Sequence, residues 1–253
     1  MRRVYATTFA IVTALSLASV SAQQTPAQQP PAQQPAGGQR MGGMDAARKV
    51  PGGGISAPGW KGKVDAAEVS AGGALNDSKF ELKGSEITIS TGPASIYWNP
   101  ADAQTGDYTV SATFTEPKYM SSNSHPHPYG VFIGGNKLDT DQASLLYCTA
   151  YGNGTYIIRG FGPATFSPST GRRPVANDAV HKAAGTGEPV TQEIKMSVKG
   201  SRVSCSINGT EVASLDKGEL VGAGKLDSVE GIAGIRVAHN VDVKVTNFKV
   251  AKQ

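Results

Sequence analysis

Two histidines stand close together in the segment SHPHPYGVFIGGN, which covers residues 124–136. The side chains of His125 and His127 can point to one side of an extended segment, where imidazole nitrogens bind metal ions or orient sugar hydroxyls. Both residues precede prolines, which favour an extended conformation at the edge of a loop. No third ligand lies nearby in the sequence, so we assign no metal ion and no other cofactor. We expect the pair at the rim of a ligand site; the alternative is the entrance of a loop into a strand.

Two arginines interrupt apolar runs. Arg159 lies in YIIRGF and Arg236 in GIRVAHN, and arginine is almost never fully buried unless it is paired. Either both guanidinium groups project into a cleft, where they bind carboxylates or hydroxyls, or they form structural ion pairs or reach solvent at strand ends. We favour the cleft. His239 follows the strand of Arg236 and would approach the same opening, unless it is a loop histidine bonded to the backbone.

Tyrosines provide a second kind of binding group. Tyr147, Tyr151 and Tyr156 belong to one strand–turn–strand segment. They are either a stacking platform for sugar rings, because tyrosine combines an apolar face with a polar tip, or core aromatics. For Trp98, in IYWNP, we expect core packing ahead of ligand binding.

Other site chemistries receive little support. Asn136, Asp139 and Asp141 offer oxygen ligands for calcium, but they are too few without other segments, and a solvated turn is expected. The chain contains no G-x-S-x-G nucleophile motif. Its glycine-rich segments lack the spacing and the lysine of a phosphate-binding loop.

The elements that position these residues are β-strands. In DYTVSATFT (107–115), and again in VTQEIKMSVKG (190–200), apolar and polar residues alternate. Period-two alternation with one solvent-exposed face is typical of antiparallel sheets. Further strands are expected at 86–90, 94–99, 129–135, 143–151 and 241–250, whereas 177–187 has the composition of a long loop.

Asn-Gly pairs place two hairpins. Asn208-Gly209 and Asn153-Gly154 separate apolar runs, and Asn-Gly favours a two-residue type I′ turn. In the later hairpin this register sets Cys205 opposite Val212 and turns Cys205 inward. In the earlier one it sets Tyr151 opposite Tyr156 and Cys148 opposite Arg159. Tyr147, Tyr151 and Tyr156 then share one face, Cys148 and Arg159 share the other, and both faces mix apolar and polar residues.

The chain has two cysteines, Cys148 and Cys205. In an oxidising compartment they can form a disulfide, which would contribute about 4 kcal/mol by constraining the unfolded chain. The alternative is two buried thiols, since free cysteine is among the most buried residues. Sequence alone leaves both open.

The first 56 residues do not resemble a folded domain. Residues 1–22 have the basic start, the apolar segment and the small residues of a signal peptide cleaved near Ala22. Residues 23–56 form a Gln/Pro/Ala/Gly-rich linker that cannot bury enough apolar surface to fold. We therefore expect a β-sandwich domain at 57–253, and a secreted or periplasmic protein without a transmembrane segment. A formal net charge of +4 without a basic cluster gives no case for nucleic-acid binding.

Many strands, regular turns and the lack of long helices predict an all-β, two-sheet antiparallel jelly-roll sandwich. VSCSINGTEVAS (203–214) followed by GIAGIRVAHNVDVKVTNFKV (231–250) resembles the C-terminal half of concanavalin A-like lectin/glucanase sandwiches. The segments GDYTVSATF, YGVFIGG and LLYCTAYGNGTYIIRGFG are similar to 3-keto-disaccharide hydrolase domains. The resemblance covers about 85–250 and implies a glycan site on a concave face. The acidic E-x-D-x-x-E triplet of the sandwich glucanases is absent, and ordinary glycoside hydrolysis needs two carboxylates.

Two functions follow. The first is an exported protein that recognises a carbohydrate on its concave face. The second is a hydrolase or lyase for keto-glycosides, with His125, His127, Arg159 and His239 converging and a histidine as base. Whether the protein is an enzyme, which sugar it binds and its oligomeric state stay open at this stage.

Overall fold

The computed structural model of the protein describes residues 45–253. The predicted signal peptide and the linker up to residue 44 lie outside the described residues. No helix within 45–253 combines the length and the apolar character needed to cross a membrane. Residues 45–253 contain three short helical segments: α1 (Ala66–Ser70), a 3-10 turn (Leu75–Asp77) and α2 (Lys217–Leu220).

Strands make up about half of the described chain. In chain order they are β1 (Gly54–Ser56), β2 (Lys61–Val64), β3 (Lys79–Lys83), β4 (Glu86–Ser90), β5 (Ser95–Gln104), β6 (Tyr108–Glu116), β7 (Tyr129–Asn136), β8 (Ser144–Tyr151), β9 (Thr155–Phe161), β10 (Val175–Ala176), β11 (Val190–Lys199), β12 (Arg202–Ile207), β13 (Thr210–Asp216), β14 (Gly231–Val237) and β15 (Asp242–Lys252). Residues 177–187 form a loop, as the sequence predicted.

The strands form two sheets. The first has the order β1-β3-β4-β15-β6-β11-β12-β13, and the second has the order β10-β9-β8-β7-β14-β5-β2. Every pairing is antiparallel except that of β1 with β3. The predicted all-β, two-sheet antiparallel sandwich is confirmed.

The central strands of the first sheet show why this chain forms a sandwich. In β6 every second side chain is buried, beginning with Tyr108 and continuing through Phe114. Strand β11 pairs with β6 and repeats the alternation, with Ile194 opposite Ala112 and Met196 opposite Val110. These inward rows pack against the inward row of the second sheet and form the main core.

The second sheet is buried on both of its faces. Seven of the eight residues of β7 are buried, and the same holds for β8. The face turned away from the first sheet, here called the outer face, carries its own apolar cluster. Its buried members are Ile96, Trp98, Phe132, Leu138, Leu145, Tyr147 and Ile157. Loop residue Leu138 therefore helps to cover a face that would otherwise expose apolar side chains.

The sheets are joined by a disulfide between Cys148 of β8 and Cys205 of β12, with Cα atoms 6.4 Å apart. Cys205 points inward, as predicted. Its partner across the hairpin is Ala213 rather than Val212, because a bulge shifts the register between Cys205 and Ser206. The Asn208-Gly209 turn itself has the predicted positive φ angles.

The register of the earlier hairpin differs from the predicted one. Tyr151 pairs with Thr155 and Tyr147 pairs with Arg159, so the loop contains three residues, 152–154, instead of two. The extra loop residue shifts β9 by one position and exchanges its faces. Tyr156 therefore lies in the main core, and Arg159 shares the outer face with Tyr147 instead of sharing a face with Cys148.

Ordered contacts begin before residue 57, where the sequence analysis placed the domain boundary. Strand β1 pairs with β3. The guanidinium group of Arg48 donates two hydrogen bonds to Asp242, at 2.6 and 3.0 Å, and a third to the Ser122 hydroxyl at 2.8 Å. Residues 45–56 therefore pack on the sandwich, although their composition is that of the linker.

Candidate functional site

The outer face of the second sheet contains a buried ion pair. Arg236 of β14 lies between Ile96 of β5 and Gly130 of β7. Its two terminal nitrogens donate to the two oxygens of Asp65, at 2.6 and 2.5 Å. The Arg236 side chain is only 9% exposed, so this bidentate pair satisfies a charge that could not otherwise be buried. Asp65 directly precedes α1, and its backbone N–H bonds the Ala94 carbonyl.

Aromatic rings surround the Arg236 guanidinium. Its central carbon lies 5.5 Å from the ring centre of Tyr147 and 5.4 Å from that of Phe161. Both distances fit cation–π contacts. Burial by itself would lower the pKa of Arg236, but the charge and hydrogen bonds of Asp65 raise it. Arg236 is therefore a fixed cation. Of the two interpretations offered by the sequence, a structural ion pair fits Arg236, whereas a guanidinium group that projects into a cleft does not.

A cleft of about 440 Å³ lies beside this ion pair. Its floor consists of outer-face residues Ile96, Leu145 and Phe161, and polar side chains stand around it. The complete lining is Lys63, Val64, Asp65, Ala66, Ala67, Ile96, Asp141, Ala143, Leu145, Phe161, Gly162 and Thr165. Pockets for small organic ligands have this volume and this mixture of an apolar floor with a few polar groups.

Arg159 lies in a neighbouring pocket. This pocket, of about 450 Å³, is lined by Arg159, Thr165, Ser167, Gly171 and Arg172, and it shares Thr165 with the cleft. The Arg159 guanidinium donates to the Arg172 carbonyl at 2.5 Å. Tyr147 lies opposite Arg159 in the ladder and contacts Arg236, so one tyrosine separates the two arginines.

Of the three tyrosines, two lie on the outer face. Tyr147 is buried, and Tyr151 is partly buried against the outer-face cluster. Burial, followed by the neighbouring Tyr147, raises the pKa of Tyr151 to about 12, so its hydroxyl keeps its proton at neutral pH. Tyr156 cannot join a platform there, because its hydroxyl donates to the Val212 carbonyl across the core at 2.8 Å. Trp98 is 1% exposed and packs in the outer-face cluster, in line with the expected core packing.

Three histidines lie side by side at the ends of β7 and β14, with neighbouring rings edge to face at 66° and 71°; this row of rings is called the histidine stack. The ladder between these strands continues beyond Tyr129 and Val237 through a bond from the Ala238 N–H to the Pro128 carbonyl, at 2.9 Å. It places His127 beside His239, with ring centres 4.2 Å apart, and His125 lies 4.3 Å from His127 on the same measure.

Each imidazole in the stack has defined partners. His127 is 6% exposed, its Nδ1 lies 2.7 Å from the His239 carbonyl, and its Nε2 lies 2.8 Å from Nε2 of His125. His239 Nδ1 lies 2.7 Å from Oε1 of Glu68. Burial, together with the neighbouring His239 and His125, lowers the pKa of His127 to about 4. His127 is therefore neutral at pH 7.

Helix α1 connects the histidine stack to the ion pair. Asp65 holds Arg236, and Glu68, three residues later, holds His239. The structure thus brings His125, His127, His239 and Arg236 into one continuous set of contacts, with Tyr147 and Arg159 on the far side of Arg236. None of these six residues, nor Tyr151, lines the cleft. Of the lining groups, Lys63, Asp65 and Phe161 were not identified from the sequence as site residues, and Asp141 was considered only as an oxygen ligand for calcium.

Asp45 is a further neighbour of the histidines that the sequence did not indicate. One of its oxygens accepts from the Ser124 N–H at 2.6 Å, and the other accepts from the Ser124 hydroxyl at 2.9 Å. The same carboxylate lies 3.6 Å from Nδ1 of His125. Calcium ligation by Asn136, Asp139 and Asp141 was considered from the sequence, but a solvated turn was expected. In the structure Asp139 pairs with Lys61 at 2.9 Å, the Asn136 amide donates to the Gly134 and Glu230 carbonyls, and Asp141 lines the cleft.

No protein-family model and no curated protein matches the sequence of this chain. Among solved structures, the carbohydrate-binding module CBM66 from Bacillus subtilis aligns with a TM-score of 0.49 and 9% identity, over 78% of this chain and 97% of the module. A Bacillus subtilis protein of unknown function with a galectin-like fold aligns with a TM-score of 0.45 and 12% identity, over 76% and 89% of the two chains. The exoplasmic/lumenal domain of VIP36, in its Ca²⁺/Man3GlcNAc-bound form, gives 0.45 and 9%, over 78% and 84%. These likenesses concern the β-sandwich alone.

Proposed function

We propose that this is an exported carbohydrate-recognition protein whose sugar site is the cleft on the outer face of the second sheet. The observation that supports the proposal is the composition of the cleft. An apolar and aromatic floor, including Phe161, lies beside the carboxylates of Asp65 and Asp141 and the ammonium of Lys63. A sugar ring presents an apolar C–H face and a rim of hydroxyls, and the two parts of the cleft complement these two parts of the ligand.

The Arg236–Asp65 pair prepares the cleft for hydroxyl groups. Each oxygen of Asp65 accepts one hydrogen bond from Arg236, and an ionised carboxylate has about four lone-pair positions. The side chain of Asp65 is 23% exposed and lines the cleft. The remaining lone pairs of Asp65 can therefore accept hydrogen bonds from sugar hydroxyls. Because Arg236 already fixes the position of this carboxylate, the entropy cost of binding a sugar is lower.

The alternative function is hydrolysis or lysis of keto-glycosides by the histidine and arginine groups. A histidine that acts as a general base needs a free imidazole nitrogen within reach of the substrate. None of the histidines His125, His127 and His239 lines the cleft where a sugar would bind. Sugar recognition needs only the polar and aromatic groups of the cleft in their observed positions, so we place recognition ahead of catalysis.

The decisive experiment is sugar binding by paired variants of the full chain. A glycan array followed by calorimetry would identify the ligand. We expect Phe161→Ala and Asp141→Asn each to weaken its binding by about tenfold or more, which corresponds to about 1.4 kcal/mol. Phe248→Ala and Asp178→Asn are matched controls: Phe248 packs beside Trp60, and neither residue lines the cleft.

Three outcomes would overturn the proposal. The first is the absence of binding to every sugar tested at high protein concentration. The second is an equal loss of binding in the cleft variants and the controls. The third is release of a product from a keto-glycoside that His127→Ala abolishes at an unchanged melting temperature, because this result would establish the alternative.

A further inference from the structure

Asp45, His125 and His127 form a compact group of ligand atoms. One oxygen of Asp45 and one nitrogen of each histidine all lie within 4.8 Å of one another. Within residues 45–253 this is the only set of three or more histidine, cysteine or acidic side chains with that spacing. It joins two distant segments of the chain, and the Ser124 N–H and hydroxyl hold the Asp45 carboxylate in place.

The tautomer of His127 leaves one nitrogen free to ligate. A carbonyl oxygen can only accept a hydrogen bond, so the contact of His127 Nδ1 with the His239 carbonyl assigns the proton to Nδ1. Nε2 of the neutral ring then carries a lone pair, which faces Nε2 of His125 at 2.8 Å. Histidines that bind metals are oriented in this way, with the second ring nitrogen donating to a carbonyl or carboxylate.

His239 repeats the arrangement in the same stack. Its Nδ1 lies 2.7 Å from Oε1 of Glu68, while its Nε2 is buried and has no hydrogen-bond partner among the described residues. A buried imidazole nitrogen without a partner is costly. His239 lies beside His127, at a ring distance of 4.2 Å, but it is not among the three side chains whose ligand atoms lie within 4.8 Å of one another.

Two Nε2 atoms at 2.8 Å require something between them, either a shared proton or a cation. Bonds of about 2.0–2.1 Å from one metal ion in tetrahedral geometry would place the two nitrogens about 3.3 Å apart. The gap must therefore widen by about 0.5 Å. The His125 side chain is 46% exposed and can move by that amount, whereas His127 is buried.

We propose that Asp45, His125 and His127 bind one divalent transition-metal ion of the zinc type. Two imidazole nitrogens and one carboxylate oxygen are a ligand set that suits Zn²⁺ and its neighbours in the series better than Ca²⁺ or Mg²⁺. Three protein ligands leave one position of a tetrahedral site for another ligand. The ion also ties the segment that carries Asp45 to the end of the sandwich.

The test is titration of Zn²⁺ into the full chain, produced without a polyhistidine tag and freed of metal with a chelator. Calorimetry should show one ion per chain for the wild type. His125→Asn and Asp45→Asn should each weaken binding by about 100-fold or more, since loss of outer-sphere partners alone costs 10–100-fold. His181→Asn is the matched control, because His181 is exposed and its Nδ1 contacts the Thr191 carbonyl instead.

Two further measurements distinguish loss of the metal site from loss of the folded structure. Saturating Zn²⁺ should raise the melting temperature of the wild type and of His181→Asn, but not that of His125→Asn or Asp45→Asn, because only an intact site links binding to stability. Co²⁺ should give the visible absorption of a tetrahedral site in the same two proteins. No binding at micromolar Zn²⁺, or equal loss of affinity in His181→Asn and His125→Asn, would overturn the proposal.

Discussion

The first sheet turns a polar face to solvent, whereas the second sheet buries apolar side chains on both faces. In β11 of the first sheet, Thr191, Glu193 and Lys195 are exposed between buried neighbours. In β8 of the second sheet, seven consecutive residues are buried. A sheet with two apolar faces needs a cover on the face away from the core. Here loops and α1 provide that cover, and the loops also contribute the carboxylates of Asp65 and Asp141 to the candidate site.

The two sheets also treat a buried charge differently. Arg236 of the second sheet has a bidentate partner in Asp65. Glu116 of the first sheet is 5% exposed, forms no salt bridge with any described residue, and leaves Oε2 without a hydrogen bond. Burial raises the pKa of Glu116 to about 7. The charge of Arg236 is thus stabilised by its partner Asp65, whereas the charge of Glu116 is reduced because its carboxyl group holds a proton more tightly.

The largest expected effect comes from breaking the pair on the second sheet. Asp65→Ala leaves Arg236 charged and buried without a partner, which should lower the free energy of unfolding by about 3–5 kcal/mol. Asp65 makes no side-chain cap bond to α1, so loss of a cap is not a competing cause. Chemical denaturation with linear extrapolation measures the change.

The control for this prediction is a pair on the polar face of the first sheet. Lys244 and Glu86 lie 3.7 Å apart with side chains 54% and 45% exposed. Glu86→Ala should cost only about 0–1 kcal/mol, as for other exposed ion pairs. Similar losses for Asp65→Ala and Glu86→Ala would contradict the contrast between the two sheets.

The next effect is the pH dependence caused by Glu116. Its pKa rises from 4.5 to about 7 on folding, so between these values the unfolded chain ionises while the folded chain keeps the proton. Stability therefore falls as the pH rises from about 4.5 to 7, by at most about 3 kcal/mol, and this contribution is then constant. In the Glu116→Gln variant, the part of the fall in stability with rising pH that Glu116 causes should be absent.

Denaturation at pH 5 and pH 8 tests the Glu116 prediction. The difference in unfolding free energy between Glu116→Gln and the wild type should be larger at pH 8, in favour of the variant. A difference that is the same at both pH values would mean that Glu116 ionises normally in the folded protein. Asp102→Asn serves as a comparison, because burial raises the pKa of Asp102 as well, but this residue lies near the exposed end of β5.

Local patterns predicted the sandwich well, because each strand carries its own evidence. The alternation in β6 and β11 specifies one buried face, and Asn208-Gly209 specifies a turn.

The candidate site was harder to predict from the sequence, since it depends on contacts between distant segments. Arg236 and His239 were identified as candidates, but their partners Asp65 and Glu68 lie 171 positions away. Asp45 was missed because its surroundings have the composition of a linker, and composition does not reveal the contacts of Arg48.

The register of the β8–β9 hairpin shows a different limit. Asn153-Gly154 marks the turn correctly, but the sequence does not show whether Gly152 belongs to the strand or to the loop. In the structure it belongs to the loop, and the residues of β9 change faces. This single shift places Tyr156 in the core and Arg159 on the outer face, which decides which tyrosines can serve a ligand site.

The smallest predicted effect tests this register directly. Tyr156→Phe removes a hydroxyl that donates to the Val212 carbonyl at 2.8 Å across the two sheets. The change should cost about 0.5–1.5 kcal/mol, because a partly buried acceptor loses its partner. Tyr151→Phe removes a hydroxyl that forms no hydrogen bond with the described residues and should stay within about 0.5 kcal/mol of the wild type. With the two-residue loop both tyrosines would share one face, and the two substitutions would have similar costs. Denaturation of the two variants side by side therefore separates the registers.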